Sequence, residues 1–101
     1  MTLARVHFSA EAALEVEAAR DWYVERSAWA ARVFVEEVAA AIHRIEEAPL
    51  RWPKAAAGTR RHPLHRFPYL VIYRVKHGDI QVIALAHAKR KPGYWKSRLK
   101  F

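Results

Sequence analysis

The amino end of the chain alternates apolar and polar residues and then changes to helical spacing. The alternation over residues 3–8 predicts a short β-strand. Ser9 follows as a candidate N-cap, and the helix that it begins is expected over residues 10–25. Apolar side chains recur four residues apart in this helix, at Leu14, Ala18 and Trp22. This spacing predicts that they form the buried stripe of the helix.

A second and longer helical pattern begins after Ser27, which is a further N-cap candidate. It runs over residues 28–48 without glycine or proline, and Pro49 ends it. Its expected buried face consists of Ala30, Phe34, Val38, Ala41 and Ile45. Two long helices with a short connection predict an antiparallel helical hairpin. The following glutamates are expected on its solvated faces: Glu11, Glu15, Glu25, Glu36, Glu37, Glu46 and Glu47.

The carboxyl half of the chain has the pattern of β-strands. A surface loop over residues 49–58 comes first, because it contains two prolines and a glycine. Strands are then expected over residues 59–65, 69–75 and 80–87. Pro63 interrupts the first of them or confines it to a sheet edge. The other two form a β-hairpin around a turn at residues 76–79, and residues 94–99 predict a short helix or turn.

The order of the elements is therefore strand, two helices, three strands and a short final helix. This order predicts an α+β fold with an antiparallel β-sheet and an N-terminal α-helical hairpin packed on one face. A chain of 101 residues is expected to form a single domain over residues 1–101. The other face of the sheet and the tail (the residues after the last strand) are then expected to form an open basic surface.

Charge changes this picture because the two halves of the chain differ strongly. Residues 1–50 carry five Lys and Arg against nine Asp and Glu, whereas residues 51–101 carry thirteen against one. The carboxyl half thus has a net charge of +12, which indicates an anionic partner. RNA and an acidic peptide both satisfy this requirement.

Composition excludes several other classes of protein. The absence of cysteine excludes disulfides, thiolate nucleophiles and Cys-based zinc sites. No segment has the character of a signal peptide or of a membrane span, so a cytoplasmic protein without a membrane partner is expected. The spacing of His62 and His65 places them on opposite sides of a strand, so neither a metal site nor a cofactor is predicted.

Candidate chemistry is concentrated where the last strand ends. His87 can act as a general acid or base, Arg90 can hold a phosphate, and Tyr94 can add a hydroxyl group. The alternative is that His87 bonds to the backbone and orders the tail. Tyr69, Tyr73 and Trp95 are interleaved with the cations as possible stacking platforms. The candidate residues for binding nucleic acid or a target are Arg60, Arg61, Arg74, Lys89, Lys91, Trp95 and Arg98.

The carboxyl half contains three distinctive segments: residues 66–75 (RFPYLVIYRV), the strand over residues 80–85 and residues 86–98 (AHAKRKPGYWKSR). These segments closely resemble the RelE/ParE family of type II toxins. Trp22-Tyr23, the helix around Phe34 and the loop with Trp52-Pro53 are also similar to members of the family. The resemblance implies a small bacterial toxin with β-α-α-β-β-β order, neutralised by a cognate acidic antitoxin. It also implies that the toxin–antitoxin complex binds its own promoter DNA, mainly through the antitoxin.

The family is divided in its activity. RelE-like members cut mRNA in the ribosomal A site, whereas ParE-like members, known as plasmid stabilisation toxins, act on DNA gyrase and are not nucleases. The long helical hairpin and the His-x-x-Arg-x-Pro-x-Tyr-Trp motif at residues 87–95 resemble the ParE side, which implies a gyrase inhibitor that arrests growth. Two alternatives stay open. The first is a metal-independent endoribonuclease that acts through His87, Arg90 and Tyr94, and the second is a non-toxic relic that only binds antitoxin.

Overall fold

The computed structural model describes residues 5–99. Its strands and helices are β1 (Val6–Phe8), α1 (Ala10–Val24), α2 (Ala28–Glu47), β2 (Arg60–Pro63), β3 (Tyr69–Lys76) and β4 (Asp79–His87). Short 3-10 helices lie at Ala56–Gly58 and Lys96–Leu99. The part of the predicted first strand before Arg5 lies outside the described residues. None of the helices within residues 5–99 is both long and apolar enough to cross a membrane.

The helices begin where their capping residues predict. The Ser9 hydroxyl accepts a hydrogen bond from the Ala12 N–H at 3.0 Å, and the Ser27 hydroxyl accepts one from the Ala30 N–H at 3.2 Å. Each serine thereby satisfies an N–H group that the helix itself leaves unpaired. The predicted buried face of α2 is confirmed at Phe34, Val38, Ala41 and Ile45, while Ala31 takes the place expected for Ala30.

The buried face predicted for α1 is wrong. Leu14 is 64% exposed and Trp22 is 51% exposed, and Ala18 is exposed beside them. The helix instead buries Ala12 and Ala19 completely or nearly so. Small side chains let the helix backbone approach the sheet closely. The face of α1 that carries Ala12 and Ala19 is therefore buried, and the face with Leu14 and Trp22 stays exposed.

The sheet has the order β1–β4–β3–β2 and is mixed. The hairpin of β3 and β4 and the pairing of β2 with β3 are antiparallel, as predicted, and β2 is an edge strand that contains Pro63. The expectation of a wholly antiparallel sheet is wrong at β1, which runs parallel to β4. The long connection over residues 48–59 lets β2 start from either end of the sheet. Sequence order therefore did not fix the direction of β1 relative to the other strands.

Two hydrophobic cores lie on opposite faces of the sheet, and a β-bulge in β4 changes which side chains face each of them. Ile72 lies opposite Ala84, but the next residue, Tyr73, lies opposite Val82, so Ile83 is an extra residue. The main core lies between the helices and the sheet and includes Phe34, Ile45, Val71, Tyr73, Ile80, Val82 and Leu85. A smaller core on the other face contains Ile72, Ile83, Ala84, Ala86 and Trp95. The tail covers this face, so the expected open basic surface is replaced by a second packed layer.

Candidate functional site

Two clefts meet at the carboxyl end of β4. The helix cleft, about 430 Å³ in volume, lies between α1 and the sheet and is lined by Glu15, Ala18, Trp22, Tyr69, His87 and Arg90, among others. The tail cleft, about 300 Å³, lies on the other side and is lined by Arg61, Leu70, Ile72, Lys91 and Trp95, among others, again with His87 and Arg90. The last two residues therefore form the wall shared by both clefts. The structure places the two strongest sequence candidates together.

His87 is held in one orientation by its neighbours. Its Nδ1 accepts a hydrogen bond from the Lys89 N–H at 3.0 Å, and its ring meets the Tyr69 ring edge to face at 5.0 Å between centroids. Because Nδ1 accepts, the neutral ring carries its proton on Nε2. The predicted backbone contact of His87 is thus present, and Nε2 is the ring atom left to meet a ligand.

Glu15 is the centre of a hydrogen-bond network that the sequence did not predict. Its carboxylate accepts from the Tyr94 hydroxyl at 2.5 Å and from both terminal nitrogens of Arg98, at 2.8 and 3.1 Å. It also accepts from the Leu85 N–H at 3.1 Å. Only 17% of the Glu15 side chain and 15% of the Arg98 side chain are exposed. The network fastens the tail to α1 and to β4.

The same network supplies hydrogen bonds to the edge of β4 beyond the end of β1. β1 pairs with β4 only as far as Val82, so the next backbone groups need other partners. The Ile83 carbonyl accepts from the Ser9 hydroxyl at 3.2 Å and from Arg98 at 3.0 Å. Glu15 takes the Leu85 N–H in the same way. Side chains thus close the edge of β4 beyond the end of β1.

The environment of the network shifts the ionisation of its members. Burial raises the pKa of Glu15, but the hydrogen bonds from Arg98, Tyr94 and Leu85 outweigh it and hold that pKa below its ordinary value. Burial, with the hydrogen bond to the Glu15 carboxylate, raises the pKa of Tyr94 to about 12. The hydrogen bond to Glu15 raises the pKa of Arg98. The Tyr94 hydroxyl therefore stays protonated and directed at Glu15.

Arg90 is the most accessible member of this cluster. Its guanidinium stacks on the Tyr94 ring at 3.7 Å from the centroid and lies 3.7 Å from a Glu15 carboxylate oxygen. The side chain is 55% exposed, so the ion pair is screened and leaves donors free for a ligand. Because Arg90 lines both clefts, it is able to bind an anion in either of them.

Several other predicted binding residues have structural contacts. Arg60 donates to the Leu50 and Trp52 carbonyls at 3.1 and 2.8 Å, which holds the loop before β2. Arg74 donates to the Gln81 side chain at 2.8 Å. The structure therefore does not bring Arg60 and Arg74 together with His87 as free phosphate ligands.

The aromatic stacking platforms are also only partly available. Trp95 is 4% exposed and packs in the smaller core, so its ring is not presented to a ligand. Tyr73 is fully buried, and its hydroxyl donates to the Pro49 carbonyl at 2.6 Å. Tyr69 is half-buried and lines the helix cleft. The expected basic-aromatic surface is thus divided: Tyr69 lies in the helix cleft, whereas the exposed cations Arg61 and Lys91 line the tail cleft. Lys89 is also exposed.

Two glutamates expected on solvated faces are instead largely removed from solvent. Glu15 belongs to the network above, and the Glu37 carboxylate, 7% exposed, accepts from the Arg66 N–H at 3.0 Å. Neither position differs from an exposed helical glutamate in the local sequence. The partners of Glu15 are evident only in the fold, because Arg98 is more than eighty residues away from it in the sequence. Among residues 5–99 there is no group of three His, Asp or Glu side chains placed to hold a metal ion.

The fold is similar to that of a known class of small α+β proteins. The solved structure "Chromosomal ParDE TA system from P. aeruginosa" is similar to this chain, with a TM-score of 0.76 and 21% identity, over 86% of this chain and 98% of that chain. The family model for the ParE toxin of type II toxin-antitoxin systems, parDE, matches residues 6–92. The chain therefore belongs to the ParE toxin family, which confirms the RelE/ParE resemblance of the sequence. No curated protein matches the chain.

Proposed function

We propose that this ParE-family toxin inhibits DNA gyrase and is neutralised by a cognate acidic antitoxin. Gyrase is favoured over mRNA as the target because the predicted nuclease residues are not all available around one phosphate. Arg60 binds backbone carbonyls and Tyr94 binds Glu15, so only two of the three predicted catalytic residues, His87 and Arg90, stay available at the clefts. Cleavage by the 2′-hydroxyl group needs an acid, a base and several cations around one phosphate. Two groups do not meet that requirement.

The helix cleft supports binding of an acidic, amphipathic antitoxin segment. Ala18, Trp22 and Tyr69 give it an apolar wall, and Arg90 gives it a cationic end. The exposed Leu14 extends this wall along α1. An acidic segment that orders on contact would bury the apolar residues and pair with Arg90. We assign three exposed cations to contact with gyrase: Arg61 and Lys91, which line the tail cleft, and Lys89, which is close to Lys91 in the sequence.

Trp22 and Trp29 provide a matched pair of variants for the antitoxin. Both are exposed, at 51% and 61%, but only Trp22 lines the helix cleft. We expect Trp22→Ala to weaken antitoxin binding at least tenfold, or about 1.4 kcal/mol, and Trp29→Ala to leave it unchanged. Titration calorimetry with the purified antitoxin measures both. Equal losses in the two variants would place the antitoxin elsewhere.

The charge of the carboxyl half predicts how the antitoxin associates. We expect the association rate to fall as salt rises, because long-range attraction steers an acidic partner toward the basic surface. Stopped-flow mixing at several salt concentrations measures this rate. An association rate that does not depend on salt would show that the net charge of +12 has another purpose.

Gyrase inhibition is tested directly against ribosomal cleavage. We expect the purified protein to block gyrase supercoiling while mRNA bound to ribosomes stays intact. Lys89→Ala with Lys91→Ala should weaken the inhibition, and Arg32→Ala, an exposed cation on α2, is the control. Gyrase that remains active at toxin levels that arrest growth would overturn the proposal. Cleavage of mRNA that is lost in His87→Ala would favour the endoribonuclease, and absence of growth arrest would favour the non-toxic relic.

A further inference from the structure

The tail cleft differs from the helix cleft in its balance of charge. Three cationic side chains line it, Arg61, Arg90 and Lys91, and all three are exposed. Among the residues 5–99 that the structure describes, no Asp or Glu lines this cleft, whereas Glu15 lines the helix cleft. The rim of the tail cleft thus has an excess of positive charge, which an anionic ligand would neutralise.

The Glu15 carboxylate does not neutralise this rim. It is already bound by the Arg98 guanidinium at 2.8 and 3.1 Å, and it lies farther from Arg90, at 3.7 Å. Water screens this second ion pair, because the Arg90 side chain is more than half exposed. Arg61 and Lys91 form no ion pair with any residue that the structure describes. The three cations therefore keep donors for the oxygens of a ligand.

The floor of the tail cleft is aliphatic. It is formed by Leu70 and Ile72 of β3 and by Ala86 of β4. Leu70 is partly exposed, whereas the other two are nearly buried in the smaller core. The cleft has a volume of about 300 Å³, close to the lower limit for pockets that bind ligands. An apolar side chain that enters it would be removed from water, so the cleft fits an apolar group with negative charges around it.

The aromatic residues of the tail cleft do not offer an open ring face to a nucleobase. Trp95 is buried in the smaller core. The Arg90 guanidinium stacks on the Tyr94 ring at 3.7 Å from the centroid, and the Arg98 guanidinium lies 5.2 Å from the same centroid. Single-stranded nucleic acids bind proteins largely by stacking bases on open aromatic rings. A peptide with aliphatic and acidic side chains therefore fits this cleft better than a nucleic acid.

We propose that the tail cleft binds a segment of gyrase in which one aliphatic side chain stands between acidic residues. The aliphatic side chain would contact Leu70 and Ile72, and the carboxylates would pair with the three cations of the rim. The aliphatic requirement distinguishes this site from a surface that attracts any acidic partner. The identity of the partner rests on the proposed function, whereas the chemistry of the cleft does not depend on it.

A short peptide tests the chemistry of the cleft without gyrase. The probe is a capped Asp-Asp-Leu-Asp-Asp peptide, and its two controls replace the leucine by serine or every aspartate by asparagine. The indole N–H resonance of Trp95 reports on the tail cleft, and that of Trp22 reports on the helix cleft. At constant ionic strength, we expect the probe to shift the Trp95 resonance along a saturating curve and to bind roughly tenfold more tightly than either control.

Three results of this titration would overturn the proposal. They are the absence of a saturating shift at Trp95, equal binding of the three peptides, and a shift confined to Trp22. A single-stranded oligonucleotide that shifts the Trp95 resonance at lower concentration than the probe would also overturn it, because the cleft would then bind nucleic acid.

Two matched pairs of variants locate the site. Leu70→Gln should weaken binding of the probe roughly tenfold, whereas Val75→Gln, in the same strand but lining neither cleft, should leave it unchanged. Ala88→Glu places a carboxylate at the tail cleft and should weaken binding severalfold, whereas Ala39→Glu makes the same change of net charge on α2 and should not. Both alanines are exposed, so the second pair tests the site even if Leu70→Gln fails to fold. Equal effects within the second pair would overturn the proposal.

Inhibition of gyrase supercoiling by the same variants identifies the partner. We expect Leu70→Gln and Ala88→Glu to inhibit less than wild type, and Val75→Gln and Ala39→Glu to inhibit as wild type does. Unchanged inhibition by the first two variants would overturn the tail cleft as the gyrase site while leaving the proposed function intact. A wild-type protein that binds the probe but leaves gyrase active would overturn the proposed function and gyrase as the partner.

Discussion

Replacing Glu15 by alanine tests whether one buried carboxylate holds the tail on the fold. The substitution removes the acceptor of the Tyr94 hydroxyl, the Leu85 N–H and the Arg98 guanidinium. Arg98 would keep its bond to the Ile83 carbonyl but would lose its only described ion-pair partner. Because α1 also packs on the main core through Val16, Tyr23 and its buried alanines, the helix itself should persist.

The magnitude follows from the burial of the pair. Both side chains are less than one fifth exposed, so the loss is close to that of breaking a buried ion pair, about 3–5 kcal/mol. A domain of this size has about 5–15 kcal/mol of stability in total. The midpoint of thermal unfolding should therefore fall by roughly 12–40 °C. Glu17→Ala, at an exposed position of the same helix, should change it by no more than a few degrees.

Two measurements separate this explanation from a general loss of helix. Thermal unfolding gives the total effect, and limited trypsin digestion after Lys96 and Arg98 gives the local release of the tail. The pKa of Glu15 is lowered in the folded protein, so its stabilisation is present above the ordinary value of 4.5 and is lost as pH falls through the folded value. The difference between wild type and Glu15→Gln should accordingly vanish in acid. A Glu15→Ala protein as stable as Glu17→Ala, or one with a protected tail, would refute the reasoning.

Two further predictions concern the main core. Burial, together with the Arg44 cation, lowers the pKa of His62, so stability should fall as pH drops below the unfolded value of about 6.5. His62→Gln should flatten this slope in urea unfolding between pH 7 and 5, and the same slope in His77→Asn, in the exposed β3–β4 turn, should match wild type. Tyr73→Phe leaves the Pro49 carbonyl unpaired and should cost about 1–2 kcal/mol in the same assay, whereas an equal loss in Tyr23→Phe would show that the hydroxyl is not the cause.

Local signals in the sequence determined the secondary elements. Ser9 and Ser27 supply the helix caps, Pro49 ends the second helix, and the alternation around Gly78 specifies the β3–β4 hairpin. These features act over a few residues, because a cap or a turn is satisfied within its own segment. The family resemblance of residues 66–98 likewise needed no structure.

Only the tertiary structure decided which partners meet across the chain. Periodicity favoured Leu14 and Trp22 as the core of α1, but close approach to the sheet selected the alanines. The bulge at Ile83 changes which side chains of β4 face the helices, and no local pattern marks it. Glu15 has the spacing of a solvated residue, and its role exists only because the tail returns to α1. A sequence shows what a segment prefers, whereas burial and pairing depend on what lies opposite it in space.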